Sequence, residues 1–176
     1  MQIFIETERL LLREIVPQDA EAMFVLDSDP LVNTFLGNKP VKNLDQSKRI
    51  IDYIRKQYEN NGIGRWAVIL KKTNTFIGWS GLKLEDGIRS ESYYDLGYRF
   101  IPKYWHNGFA TEAAVASVNY GFDTLNYPSI CAAADINNEG SNKVIQKCGM
   151  TFIETFMIDG ALHNWYELTR EKWLKT

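Results

Sequence analysis

Tyr98 to Ala114 reads YRFIPKYWHNGFATEAA, and the order of its parts decides the fold. An apolar, strand-like run closes at Ile101-Pro102 and an aromatic, polar turn follows. Gly108 then breaks the chain just before an alanine-rich helical pattern. A helix entered this way leaves its first backbone N–H groups without intrahelical acceptors. The helix dipole adds partial positive charge at the same end. Strand, glycine turn and helix N-terminus in succession predict a site for a phosphate or pyrophosphate group. The stretch contains neither G-x-G-x-x-G nor G-x-x-x-x-G-K-[ST], so neither a dinucleotide-binding fold nor a nucleoside triphosphatase is supported. The expected ligand is a phosphorylated cofactor of another kind.

Downstream, the helix runs over residues 108–125, with Val115, Val118, Phe122 and Leu125 on its apolar side. Residues 130–134 form a short apolar strand, and 139–147 a helix stopped at Cys148-Gly149. Strands over 152–158 and 162–169 flank Asp159-Gly160, a strong hairpin signal. Upstream, 93–101 is a strand, and strands over 65–71 and 75–84 turn near Thr73-Asn74. Ile50, Ile51, Ile54 and Tyr58 recur at helical spacing within 45–60, and Asn60-Asn61-Gly62 ends that helix. Pro17-Gln18-Asp19 opens a shorter helix to about Leu26, after a first strand over 3–13.

The element order is β-α-α-β-β-β-α-β-α-β-β. Strand–helix–strand stretches in the second half imply parallel pairing, and the central hairpins imply antiparallel pairing. The fold class is therefore α/β with a mixed sheet, not a doubly wound one. With no repeat, low-complexity tract or linker, residues 1–176 read as a single domain.

Composition limits the function. The chain is 45% hydrophobic and 24% charged, with net charge -2 and no Lys/Arg run, which argues against general nucleic-acid binding. No apolar run approaches the roughly 18 residues of a membrane span. Glu6, Glu8 and Arg9 interrupt the start, so it does not read as a signal peptide. Cys131 and Cys148 make no disulfide framework, so a reducing cytoplasm is the expected setting. His106 and His163 lack partners at metal-ligand spacing, and no metal is expected.

The turn resembles the acyl-CoA pyrophosphate loop of the GNAT N-acetyltransferases, written Q/R-x-x-G-x-G/A. The matching residues are Trp105, His106, Asn107, Gly108, Phe109 and Ala110, followed by Thr111-Glu112-Ala113. Trp105 departs from the Gln/Arg of that pattern, and His106 stands where many members have glycine. Tryptophan at that place is common in the RimJ/RimL-like branch. Three further segments are similar to the same branch. They are TERLLLRE (residues 7–14), DLGYRFIP (95–102) and NEGSNKVIQKCGMTF (138–152), the last with Met150-Thr151 interrupting the family's final Gly-Phe.

The resemblance implies a GNAT fold and transfer of an acetyl group from acetyl-CoA to a primary amine within one ternary complex. Backbone N–H groups of residues 107–111 and the Thr111 hydroxyl would hold the pyrophosphate. The pantetheine arm would pair, strand-like, with the backbone of Tyr98, Arg99, Phe100 and Ile101, and Asn138 would hydrogen-bond it. Ser141 is the candidate proton donor to the departing sulfur, and Asp95 the candidate base. Each also has a plainer role: Asn138 and Ser141 as helix caps, and Asp95 as a strand residue paired with Arg99. Cys148 reads as a small apolar residue, not a nucleophile. In that branch the acceptor is often the N-terminal amine of a ribosomal or other protein. Polyamines, amino acids, antibiotics and toxins are the alternatives, as is a non-catalytic acyl-CoA-binding module. Residues 17–62 and the last hairpin would set the acceptor, where His163 and Tyr166 flank Trp165. Monomer and homodimer both remain open.

Overall fold

The computed structural model describes residues 2–175. The expected first strand is a hairpin of β1 (Ile3–Glu6) and β2 (Leu10–Glu14). The Thr7 N–H donates to the Leu10 carbonyl at 2.9 Å, and the Leu10 N–H donates to Thr7 Oγ1 at 3.0 Å. The polar residues Glu6, Thr7, Glu8 and Arg9 interrupt the apolar run at this turn, a break that the expectation of one continuous strand passes over. A 3₁₀ turn at Pro17–Asp19 leads into α1 (Ala20–Ser28). The short α2 (Pro30–Asn33), not anticipated, starts where Asp29 Oδ1 accepts the Leu31 N–H at 2.8 Å. α3 (Leu44–Asn61) is capped by Asn43 and buries Ile51 and Ile54.

β3 (Arg65–Leu70), β4 (Thr75–Glu85) and β5 (Tyr93–Phe100) follow as a meander. A second 3₁₀ turn, Pro102–Tyr104, precedes α4 (Phe109–Asp123) and β6 (Ser129–Asp135). α5 (Glu139–Lys147), the β7 (Thr151–Ile158) and β8 (Ala161–Thr169) hairpin, and α6 (Arg170–Trp173) complete the described chain.

All eight strands form one sheet in the order β1-β2-β3-β4-β5-β6-β8-β7. β5 and β6, joined through α4, are its parallel pair, and every other neighbouring pair is antiparallel. The second expected crossover does not yield a parallel pair. The hairpin inserts β8 between β6 and β7, and β8 satisfies the β6 edge from Ser129↔Thr169 to Asp135↔His163.

Strand alternation splits the side chains between two layers. On one face Leu82, Leu96, Phe100, Ile130 and Ala132 pack against Ala113, Ala114, Val118 and Phe122 of α4 and Ile145 of α5. Burying a side chain such as Phe122 contributes about 1.5–3 kcal/mol. On the other, Met23 and Leu26 of α1 and Ile51 and Ile54 of α3 pack on Ala67 and Ile69. The same face of β5, β6 and β8 carries aromatic and charged side chains.

Candidate functional site

The parallel β5–β6 ladder registers at Asp95↔Cys131 alone. Beyond that pair the strands part, although both continue. Ile101 donates its N–H to the Ile77 carbonyl at 3.0 Å, so Ile101 and Arg99 turn their backbone polar groups toward β4. Tyr98 and Phe100 turn theirs into the gap. The expectation of four gap-facing residues is thereby corrected to two, because a strand offers alternate residues to each side. Trp105 closes part of the gap: its indole N–H donates to the Phe100 carbonyl at 2.7 Å. The Tyr98 N–H and carbonyl and the Phe100 N–H still face it.

At the end of β5 the chain turns through two left-handed residues, His106 (φ 60°) and Gly108 (φ 79°). His106 lacks glycine's freedom in that region. Asn107 braces the turn, its Nδ2 donating to the Trp105 carbonyl at 2.8 Å. Gly108 accepts the Glu112 N–H at 3.0 Å, which starts α4 and leaves the N–H groups of Phe109, Ala110 and Thr111 without helical acceptors. The residues of the sequence motif thus form one turn with open N–H groups beside the open end of the β5–β6 gap.

A residue that the motif did not reveal stands against this turn. Arg9, in the β1–β2 turn, donates from Nε to Glu112 at 2.6 Å and from Nη1 to the Asn107 carbonyl at 3.0 Å. Its guanidinium lies 4.6 Å from the Phe109 ring centroid. Thr7 also donates to Glu112, at 2.6 Å. Partial burial acts to raise the Glu112 pKa, but the hydrogen bonds from Thr7 and Arg9 outweigh it and hold the carboxyl below its ordinary value. The clue in the sequence was the pair of charges in TERL and ATEA, with nothing to say that they meet.

On the far side of the gap, Asn138 Oδ1 caps α5 by accepting the Ser141 N–H at 3.0 Å. Its Nδ2 has no partner among the described residues. The Tyr98 hydroxyl donates to the Ser141 carbonyl at 2.9 Å and lies 3.0 Å from Ser141 Oγ. Burial pushes the Tyr98 phenol pKa up, so it stays a neutral donor. Asn142 locks α5 in place: Nδ2 donates to the Asp135 carbonyl, and Oδ1 accepts from Asn164 and Tyr166, each of those two bonds 2.8 Å long. Tyr166 therefore serves the frame and faces away from Trp165.

The opposite face holds Asp95. Its carboxylate pairs with the buried Arg65, which also donates to the Asp95 carbonyl at 2.6 Å. A Cβ on Gly97 would lie 2.6 Å from Arg65 Nη2, so glycine makes room for the guanidinium. Burial raises the Asp95 pKa against the pull of Arg65. The plainer expectation of an Asp95–Arg99 pair is corrected, because Arg99 reaches Asp27 of α1 instead. Residues four apart on a strand stand about 13 Å from each other, too far to pair.

Asp95, Cys131 and Glu167 occupy one row across β5, β6 and β8. Glu167 has no partner among the described residues. Next along the face, Trp165 packs edge-on against Tyr93 at 4.7 Å and Phe156 at 5.4 Å. Arg89 lies 4.6 Å over Trp165 and 4.8 Å over Phe156, and pairs with Glu154. Burial raises both cysteine thiols, Cys131 and Cys148, to about 12, which leaves no thiolate nucleophile near neutrality. A cleft of about 770 Å³ between residues 38–42 and α3 holds no residue of the α4 turn, β5 or α5. No helix among the described residues is long and apolar enough to cross a membrane.

A family model described as an acetyltransferase (GNAT) domain matches residues 9–151. The uncharacterized N-acetyltransferase YoaA of Bacillus subtilis is 33% identical over 145 residues, covering 82% of this chain and 81% of that protein. The crystal structure of a GNAT-family acetyltransferase from Bacillus anthracis superposes with TM-score 0.80 at 27% identity, covering 97% of this chain and 99% of that one. At 18% identity, spermidine N-acetyltransferase from Vibrio cholerae, solved with CoA and spermine, shares the fold with TM-score 0.77 over 96% of this chain and 99% of that one.

Proposed function

The chain belongs to the GNAT acetyltransferase family, and from that premise we propose how its own residues perform acetyl transfer from acetyl-CoA to a primary amine. The observation that carries the reading is continuity: the anion-accepting turn at residues 106–111 opens directly onto the β5–β6 gap. A phosphate-bearing head and an extended amide-bearing arm fit those two parts in that order. The residues present fit the cofactor, since Gly108 is left-handed and the first N–H groups of α4 are open. Acetyl-CoA supplies the acetyl group already activated as a thioester.

The N–H groups of Phe109, Ala110 and Thr111, with the Thr111 hydroxyl, bind the pyrophosphate. Tyr98 and Phe100 pair with the pantetheine amides, and Asn138 Nδ2 donates to the same arm. The Ser141 hydroxyl, 3.0 Å from the Tyr98 oxygen, is free to turn its proton toward the departing sulfur. Asp95 keeps Arg65 in place. Glu167, the free carboxylate of the row, takes the amine proton directly or through water. A thiolate leaving group is stable enough that orientation of the two reactants supplies much of the rate.

The acceptor approaches over the β5–β8 face, and we assign it as the N-terminal amine of a protein, in keeping with the resemblance to the RimJ/RimL-like branch. One observation favours a second reading, a small polycationic amine. Glu167, in one row with Asp95 and Cys131 and without an ion-pair partner among the described residues, leaves a negative charge on that face for a cation. Following thiol release over a panel of N-terminal peptides and polyamines tests both. Turnover of peptides with free N-termini is expected, whereas turnover of spermidine alone would replace the first reading with the second. Absence of thiol release with any amine would overturn both.

A further inference from the structure

We infer that Arg9, from the β1–β2 turn, is a direct cationic ligand of the cofactor's pyrophosphate, beyond its role as a brace for the turn. This rests on reading the α4 turn as the phosphate site. Two N–H groups of the guanidinium are engaged, from Nε to Glu112 and from Nη1 to the Asn107 carbonyl. Both donors on Nη2 and the second on Nη1 have no partner among the described residues. One Nη2 donor lies on the distal edge of the guanidinium, away from the Nε edge that faces Glu112, where it can meet an oxyanion. Nη2 stands 3.4 Å from the position a Cβ on Gly108 would take, so that edge flanks the residue from which α4 starts. The Arg9 side chain is 43% exposed, open to a ligand arriving from solvent. Phe109 packs against it, with the ring centroid 4.6 Å from the guanidinium carbon.

The charge balance points the same way. Glu112 places a carboxylate in the first turn of α4, which suits the helix dipole but repels a phosphate. Arg9 cancels that charge at the point where the repulsion would act. It also explains why TERL and ATEA belong together in this chain: Thr7 and Arg9 of the one both bind Glu112 of the other.

The test compares two substitutions by titration calorimetry with CoA and with dephospho-CoA. Arg9→Gln keeps a side-chain donor for bracing but removes the cation, whereas Glu112→Gln removes the carboxylate and leaves the cation unpaired. Arg9→Gln should weaken CoA about tenfold or more, the loss of a charge-assisted contact. Dephospho-CoA should lose the same factor, because the contact is to the pyrophosphate and not the 3′-phosphate. Glu112→Gln should tighten CoA by about twofold, since a nearby negative charge is gone. Equal weakening in both variants would mean that the pair only braces the turn, and would overturn the inference. So would undiminished affinity in Arg9→Gln, or a loss confined to CoA. A wild-type protein that binds neither ligand would instead overturn the donor-site reading on which this rests.

Discussion

The two sides of the β5–β6 gap are built from different materials. On the α4–α5 side the groups offered to a ligand are mostly backbone, namely the N–H groups of residues 109–111 and the gap-facing amides of Tyr98 and Phe100. On the opposite side they are side chains, and most are already paired: Asp95 with Arg65, Arg99 with Asp27, Arg89 with Glu154. A backbone site recognises what every acyl-CoA shares, because it reads shape and phosphate charge. A side-chain site can be changed one residue at a time without disturbing the turn or the split strands. Substitutions on the two sides should therefore fail in different ways.

The largest effect is expected on the side-chain face and in stability, not rate. Asp95→Asn leaves the buried Arg65 without its counterion and should cost about 3 kcal/mol, read as a lower urea midpoint. If the variant instead unfolds like wild type while its turnover collapses, Asp95 is the base after all, and Glu167 is not. Glu167→Gln provides the contrast, with near-normal stability and a turnover about a hundredfold lower.

On the backbone side, Gly108→Val should abolish measurable CoA binding, with a loss of at least about a hundredfold. The reason is conformational: a β-branched residue resists the left-handed φ of 79°. Crowding is not the cause, because the nearest atom to a Cβ there is Arg9 Nη2 at 3.4 Å. Calorimetry showing unchanged affinity would remove the turn from the donor site.

Smaller effects separate orientation from binding. Ser141→Ala should lower kcat about tenfold with little change in KM for acetyl-CoA. Tyr98→Phe should lower it less, because the Ser141 hydroxyl remains and only the bond that holds the Ser141 carbonyl is lost. A rise in KM without a change in kcat would make both residues part of the pantetheine contact alone.

What the sequence made legible follows the same division. The Trp105–Thr111 turn and the Asn138–Ser141 cap are contiguous, and their signals (a glycine, a cap residue, a helix start) are local. Asp95 could be seen as a carboxylate beside the gap, but its partner Arg65 is contributed by β3 across the sheet. Arg9 was hidden for the same reason, since the carboxylate that receives it lies in α4. The hairpin at Asp159-Gly160 was plain. That β8, not β7, lies against β6 was not, because turn chemistry fixes the pairing within a hairpin and not the strand that faces the rest of the sheet.

Glu112 joins the two kinds of evidence in one substitution, with the smallest effect and with opposite signs in stability and binding. Its folded pKa is lowered: burial works against the shift, and the bonds from Thr7 and Arg9 outweigh burial. A carboxyl so depressed contributes stability that is fully present above its ordinary value of 4.5 and lost as pH falls through the lower folded value. Because Arg9 is 43% exposed, solvent screens the pair, and the contribution should stay below about 1 kcal/mol. Glu112→Gln should therefore be slightly less stable than wild type at pH 7, and the gap should close as the pH falls below that window. A gap that widens in acid would mean that the carboxyl is stabilised in its protonated form, reversing the sign. Raised salt should narrow the same gap at pH 7, as expected for a screened pair. The same variant, slightly less stable yet tighter for CoA, would show that Glu112 holds Arg9 in place at the expense of the charge Arg9 offers the phosphates.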